Sequence, residues 1–230
     1  GNWSSDVCSS DIEVPFPAEV LDLFPDELVE SELGLIPKGW EVGKLGDLAQ
    51  SVSNGGTPSR KEPLYWENGT IPWLTSGEVR QDVIISTENK ITNSGLENSS
   101  AKLWAPYTTI VALYGATAGE VTLSAIETTA NQACCGLYPY PNTRHYLYLS
   151  TSRSTKSLAS RARGSAQQNL SKSLVENYEC LIPSTGVLVN FEELIKPIYD
   201  KIILNFKEFE NLSAIRDTLL QKLMNGEVEV

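Results

Sequence analysis

The sequence predicts an α+β chain, an irregular β-rich domain followed by one long coiled-coil-forming α-helix. Three observations lead there. Ile195, Ile198, Ile202, Asn205, Phe209, Leu212, Arg216, Leu219 and Leu223 step alternately by three and four, which is the heptad seam of a single long helix. Between Trp40 and Pro139, short runs rich in β-branched and aromatic residues are bounded by Gly, Pro, Asn or Ser, the pattern of strands and turns. After Pro141 the spacing becomes helical.

Residues 1–11 follow no element period, resemble translated sequencing-adapter text and are set aside from fold reasoning. Residues 12–37 are acidic and carry Pro15, Pro17, Pro25 and Pro37, a linker that ends in a turn at Pro37-Lys38-Gly39. The domain, expected over residues 38–190, then offers strands at Ile71–Leu74, Val83–Ile85, Thr108–Leu113 and Gly119–Leu123. Two short helices are expected near Lys44–Ala49 and Asn93–Leu96. Further on come a helix at Tyr146–Arg163, a break at Gly164-Ser165, a short helix at Ser171–Glu176 and a strand at Glu179–Ile182 closed by Pro183.

The long helix is expected over 191–226. Asn190 and Glu193 have the spacing of a capping box, and Gly226 supplies the stop. From Phe191 to Met224 it would reach roughly 50 Å at 1.5 Å per residue. Pro197 lacks a backbone N–H, so it should kink the helix or delay its regular start. Such a seam asks for another helix as partner, from a second half or a second copy.

Composition narrows the function classes. The formal charge is −11, yet residues 1–37 contain nine acids and no base, whereas residues 38–190 are nearly balanced. Within the domain, Arg144, Arg153, Lys156, Arg161, Arg163 and Lys172 fall in one segment without Asp or Glu, the pattern of a surface that faces an anion. No apolar run approaches the ~20 residues of a membrane span and the amino terminus lacks a secretory pattern. A cytoplasmic protein with no membrane contact is expected. Cys8, Cys134, Cys135 and Cys180 have no metal-site spacing, so reduced, buried thiols are expected.

Catalytic constellations are missing from the sequence. His145 is the single histidine, which precludes a His-pair metal site or a His-based triad within one chain and leaves a packed surface side chain as the expectation. Gly55-Gly56 and Gly115–Gly119 lack the Gly-Lys-Ser/Thr ending of a phosphate loop and are expected to be turns with positive φ. No cofactor and no metal site are expected. Asn131 and Gln132 precede an apolar run and are given a structural hydrogen-bonding role.

Two segments then carry a family resemblance. Ser31-Glu32-Leu33-Gly34-Leu35-Ile36-Pro37-Lys38-Gly39-Trp40, followed by Gly55-Gly56-Thr57-Pro58-Ser59, Tyr65-Trp66 and Ile71-Pro72-Trp73-Leu74-Thr75, resemble the opening of a target recognition domain from the specificity subunit of type I restriction-modification enzymes. Lys90-Ile91-Thr92, Gly115–Glu120, Thr129–Cys134, Leu181-Ile182-Pro183 and the ending Arg216–Glu227 agree in order, with Gln221 where that family commonly has Pro. The resemblance extends over about residues 22–230 and places the chain as the distal half of a two-domain subunit or as a half-subunit that pairs with itself.

The resemblance implies a non-catalytic reader of one half of a bipartite double-stranded DNA site. Its long helix would pair antiparallel with a counterpart, methyltransferase subunits that modify adenine would dock on that scaffold, and a restriction/translocase subunit would join indirectly. Phosphate contacts would come from Arg153, Lys156, Arg161, Arg163 and Lys172. Base reading would fall to Gln167, Gln168 and Asn169 beside them, and to Thr57, Ser59 and Arg60 in the Gly-rich loop. Helix pairing would use Ile198, Ile202, Asn205, Phe209, Leu212, Arg216, Leu219 and Leu223. The rival class is a protein- or glycan-binding module that its helix merely dimerises.

Overall fold

The computed structural model describes residues 22–164 and 169–227. Its centre is a mixed sheet with the order β4 (Ala49–Asn54), β11 (Cys134–Pro139), β8 (Thr109–Ala112), β9 (Val121–Ser124) and β6 (Val83–Ile84). The first four strands alternate in direction, and β6 runs parallel to β9. A second sheet places β5 (Ile71–Leu74) between β10 (Thr129–Ala130) and β7 (Asn89–Ile91). Two ribbons complete the β-structure. One pairs β1 (Leu28–Ser31) with β2 (Gly34–Pro37), the other β3 (Glu41–Lys44) with β12 (Glu179–Ile182).

Strand alternation divides the core into two layers. Val111, Leu113, Val121, Leu123, Cys135 and Leu137 share one layer with Leu147, Tyr148, Leu158, Leu170 and Val175, which come from the helical half of the chain. Ile110, Ala112 and Cys134 belong to the other layer, with Leu74, Val79, Ile84, Trp104 and Ala130. Both faces of β8 are therefore covered, and all four of its residues are buried. Double coverage explains why this strand reads as a continuous apolar run. Burial also pushes the Cys135 and Cys180 thiols up to about 12 and the Cys134 thiol higher still, so all three stay protonated. Cys8 lies outside the described residues.

The helices are α1 (Asn93–Glu97), α2 (Arg144–Arg153), α3 (Thr155–Gly164), α4 (Lys172–Glu176) and α5 (Thr185–Met224). Thr92 and Ser171 cap α1 and α4 by accepting from Gly95 N and Leu174 N. The single helix expected over Tyr146–Arg163 is two helices meeting at Ser154, and the segment expected at Lys44–Ala49 is a 3-10 turn at Leu45–Leu48. The stretch expected as a linker contains the β1–β2 ribbon. Ser31 Oγ donates to Gly34 O across its turn, and Gly34 takes φ +95°.

The long helix departs from expectation at its start. It begins at Thr185, six residues before Phe191, and spans 40 residues, about 60 Å. Ser184 is the N-cap, while Asn190 lies inside the helix and donates to Gly186 O. The Asn190–Glu193 capping box is therefore not formed, because backbone bonds from the preceding turn already hold those residues. The helix continues unbroken through Pro197. Gly226 adopts φ +70° and ends it as expected.

One buried polar pair ties this helix to the domain. His145 is fully buried rather than on the surface. Its Nδ1 lies 3.0 Å from Glu192 Oε2, and its backbone N–H donates to the same oxygen at 3.2 Å. Tyr199 lies against the imidazole at 4.5 Å between ring centroids, and Tyr107 meets it edge-on at 5.7 Å. Removing the carboxylate would leave the His145 groups buried without a partner, which costs about 1–3 kcal/mol. Glu192→Ala should accordingly lower the unfolding free energy by that amount, read as a lower urea midpoint at unchanged slope, and Glu192→Gln, which keeps an acceptor, should lose less.

Candidate functional site

Strand direction sorts the loops to two opposite edges of the central sheet. One edge collects the chain after β4, the chain entering β11, the chain after β8 and the chain entering β9. Backbone bonds join these segments: Gly55 N donates to Cys134 O at 2.9 Å, Leu113 N to Ala133 O at 2.7 Å and Leu170 N to Leu113 O at 2.9 Å. The loop from Gly115 to Gly119 sits on the same edge against α3, where a Cβ on Gly119 would lie 3.0 Å from Ala159 N. Thus Thr57, Ser59 and Arg60 share one edge of the sheet with α3 and with Asn169, the latter more than a hundred positions away in the chain.

The Gly55–Arg60 loop is held by close packing. A Cβ on Gly55 would stand 2.3 Å from Asn131 O, and one on Gly56 would stand 2.4 Å from Ser100 C. The need for glycine there is space, and the positive φ expected of the pair is not found. Positive φ occurs instead at Gly115 and Gly119, at +74° and +90°. Two indoles brace the loop: Trp73 Nε1 donates to Gly56 O and Trp66 Nε1 to Ser59 O, each at 3.0 Å. The exposed Arg60 guanidinium lies 3.5 Å from the Trp66 ring centroid and 4.9 Å from that of Trp73. Stacking of this kind fixes the plane of the cation while its N–H edge stays available.

Thr57 donates its hydroxyl proton to Gln132 Oε1. Asn131 has the structural role expected of it, since its Oδ1 accepts from Ala133 N at 3.0 Å. Gln132, given the same role from sequence, is exposed, and no apolar period could have marked it as part of the site.

The basic segment is less uniform than its composition. Arg153 is exposed at the end of α2 and Asn169 is exposed beside Leu170. Lys172 is half-exposed, pairs with Glu176 at 3.3 Å and reaches Val52 O at 3.4 Å. Arg144 stands over Tyr107 at 5.0 Å on the opposite edge of the sheet. The side chains of Lys156, Arg161 and Arg163, and all of Gln167 and Gln168, lie outside the described residues.

That opposite edge carries the helix. Tyr107 Oη donates to Asp200 Oδ1 at 3.4 Å and Ser86 Oγ to Glu210 Oε1 at 2.5 Å, and His145 meets Glu192 as described above. Beyond Tyr199 the helix has little domain beneath it. Phe209 and Leu212 are 68% and 58% exposed, Leu219 and Leu223 are exposed too, and Ile202, Asn205, Phe206 and Phe209 line a shallow groove. Phe206 and Leu220, each one position past a seam residue, are also exposed, so the apolar stripe is wider than the seam alone. Among the described residues no cluster of His, Cys, Asp or Glu could hold a metal, and no helix is long and apolar enough to cross a membrane.

The family model for the type I restriction modification DNA specificity domain matches residues 37–222. The chain is 30% identical over 220 residues to the type I restriction enzyme MjaIX specificity subunit of Methanocaldococcus jannaschii, across 94% of this chain and 49% of that protein. It is also 30% identical over 223 residues to the HindI specificity subunit of Haemophilus influenzae, across 92% and 48%. The fold is similar to the type I restriction-modification S subunit from M. genitalium, with a TM-score of 0.59 at 17% identity over 81% of this chain and 46% of that one. For the HsdS subunit from Thermoanaerobacter tengcongensis the TM-score is 0.52 at 15% identity, over 92% and 50%. The chain thus spans about half the length of the relatives it matches.

The packing of the Gly-rich loop is open to a direct check. Gly55→Ala would press a methyl group into backbone atoms that have no rotamer to escape to, so it should destabilise by about 1–3 kcal/mol or more. Gly77 has right-handed helical φ and ψ of −68° and −34°, with the nearest atom 3.8 Å from a built Cβ. Gly77→Ala should be neutral or stabilising by up to ~1 kcal/mol. Urea denaturation of the two variants tests the contrast.

Proposed function

The chain belongs to the type I restriction-modification DNA specificity family, and from that premise we propose that it reads one half of a bipartite duplex DNA site and makes no bond itself. The observation that carries this reading is the separation of edges. The loop of Thr57, Ser59 and Arg60 shares one edge of the sheet with α3 and Asn169, and α5 is anchored at the other. A duplex laid on the first edge leaves the helix free to hold its counterpart at a set distance. Arg60 and Arg153, with Lys156, Arg161 and Arg163, supply phosphate contacts that position the domain, and amides and hydroxyls of the loops meet base edges.

The helix is the spacer. Its seam from Ile198 to Leu223, largely exposed, pairs with the corresponding helix of a second recognition half. Asn205 and Arg216 on the seam restrict register. The additional apolar positions Phe206 and Leu220 leave a flank on which methyltransferase subunits dock, and a restriction/translocase subunit joins through them.

Duplex binding measured against salt tests the reading. With four or five phosphates neutralised, affinity should fall on the order of a hundredfold or more as salt rises from about 50 to about 200 mM. Salt-independent binding, or binding of a glycan or protein in place of duplex, would overturn it. Leu212→Asp with Leu219→Asp should leave the helical circular dichroism of the domain in place and abolish self-association in sedimentation equilibrium. Association that survives both changes would show that the seam is not the pairing surface.

A further inference from the structure

We propose that Gln132 is a specificity-determining residue whose carboxamide, oriented by Thr57, reads the major-groove edge of an adenine. The inference rests on the DNA-reading function proposed above and deepens it to one side chain and one base.

The backbone on both sides of Gln132 is fixed. Asn131 N donates to Leu74 O at 2.9 Å, Ala133 N to Asn131 Oδ1 at 3.0 Å, Cys134 N to Asn131 O at 3.1 Å, and Ala133 O accepts from Leu113 N at 2.7 Å. Those bonds reach the second sheet through Leu74 of β5 and the central sheet through Leu113, the residue after β8, so Gln132 stands at their junction. An exposed glutamine on such a turn would ordinarily sample several rotamers in water. Here Thr57 donates to Oε1, which sets the orientation of the amide plane. Thr57 itself cannot drift, because Gly55 and Gly56 beneath it pack directly on the backbones of Asn131 and Ser100.

The oriented amide retains the capacity that recognition needs. A carbonyl oxygen accepts two hydrogen bonds and the NH2 group donates two. The Thr57 hydroxyl takes one lone pair, and among the described residues Nε2 has no partner. An acceptor and a donor side by side in one plane match the N6 amino group and N7 of adenine. Guanine offers two acceptors at the same edge, cytosine a donor and thymine an acceptor beside a methyl group, so none of them satisfies both halves of the amide. A pre-oriented side chain also loses less rotamer freedom on binding. Arg60, three residues beyond Thr57 and flattened on Trp66, adds the fixed positive charge that holds a duplex against the same loop.

The test is selection of randomised duplex DNA at low salt by the 230-residue chain and three variants, with the bound pools sequenced. The native chain should enrich a motif that contains an adenine. Gln132→Ala should flatten preference at that position alone, by roughly fivefold to a hundredfold in relative affinity, with the rest of the motif retained. Gln132→Glu replaces the donor by a second acceptor and should move the preference at that position to cytosine, a change no structural role would produce. Thr57→Val frees the amide to turn and should weaken the same position in part. A native motif that all three variants reproduce unchanged would overturn the assignment of Gln132 and leave DNA reading intact. No motif from the native chain, with the protein folded, would overturn the DNA-reading function and the residue assignment together.

Discussion

A central strand with no solvent-facing side constrains the rest of this molecule. Thr109–Ala112 is buried throughout, so the sheet must be covered twice, by the helices that follow Pro141 on one face and by the small sheet around Trp73 on the other. Hydrophobic burial at two interfaces, rather than hydrogen bonding alone, holds the layers together. The cost falls on side chains that must fit between layers. Gly136 shows it, since a Cβ there would meet the Trp104 ring at 2.7 Å.

The same alternation of strand direction separates two tasks. Every loop that leaves β4 or β8, or enters β11 or β9, emerges on one edge, and those loops carry Thr57, Arg60 and Gln132. The segments on the far edge carry Tyr107 and His145, which hold the long helix. The antiparallel pairing of β4, β11, β8 and β9 delivers this division without any dedicated spacer between the two surfaces.

The His145–Glu192 contact is where the helix and the domain become one body. A neutral apolar pair would have packed there without directional demand, whereas a carboxylate that accepts from both the imidazole and the His145 backbone N–H specifies one rotation of the helix about its axis. Tyr199 on the imidazole extends the contact by two helical turns. Past that point its ties to the domain narrow to the Tyr107–Asp200 and Ser86–Glu210 hydrogen bonds, and Leu204, Leu212, Leu219, Leu220 and Leu223 are exposed.

The local pattern of residues was enough to determine the class of the fold, the strands β5, β6, β8, β9 and β12 and the long helix with its glycine stop, because strand and helix periods and terminal residues act over a few positions. It also marked Thr57, Ser59 and Arg60 and the basic run as candidates, by residue type alone. The tertiary structure decided the rest. Asn190 had the chemistry of a cap yet lies inside the helix, since Thr185–Val189 already supply the preceding turn. His145 looked like a surface residue because nothing near it in sequence shows Glu192, 47 positions away, closing over it. Lys172 belonged to the basic run by composition, and only the fold shows its pair with Glu176 and its contact with Val52 O. Gln132 was an unremarkable polar residue until strand pairing brought Thr57 beside it. Each of these outcomes depends on partners distant in the chain, and periodicity carries no information about which distant residues a fold brings into contact.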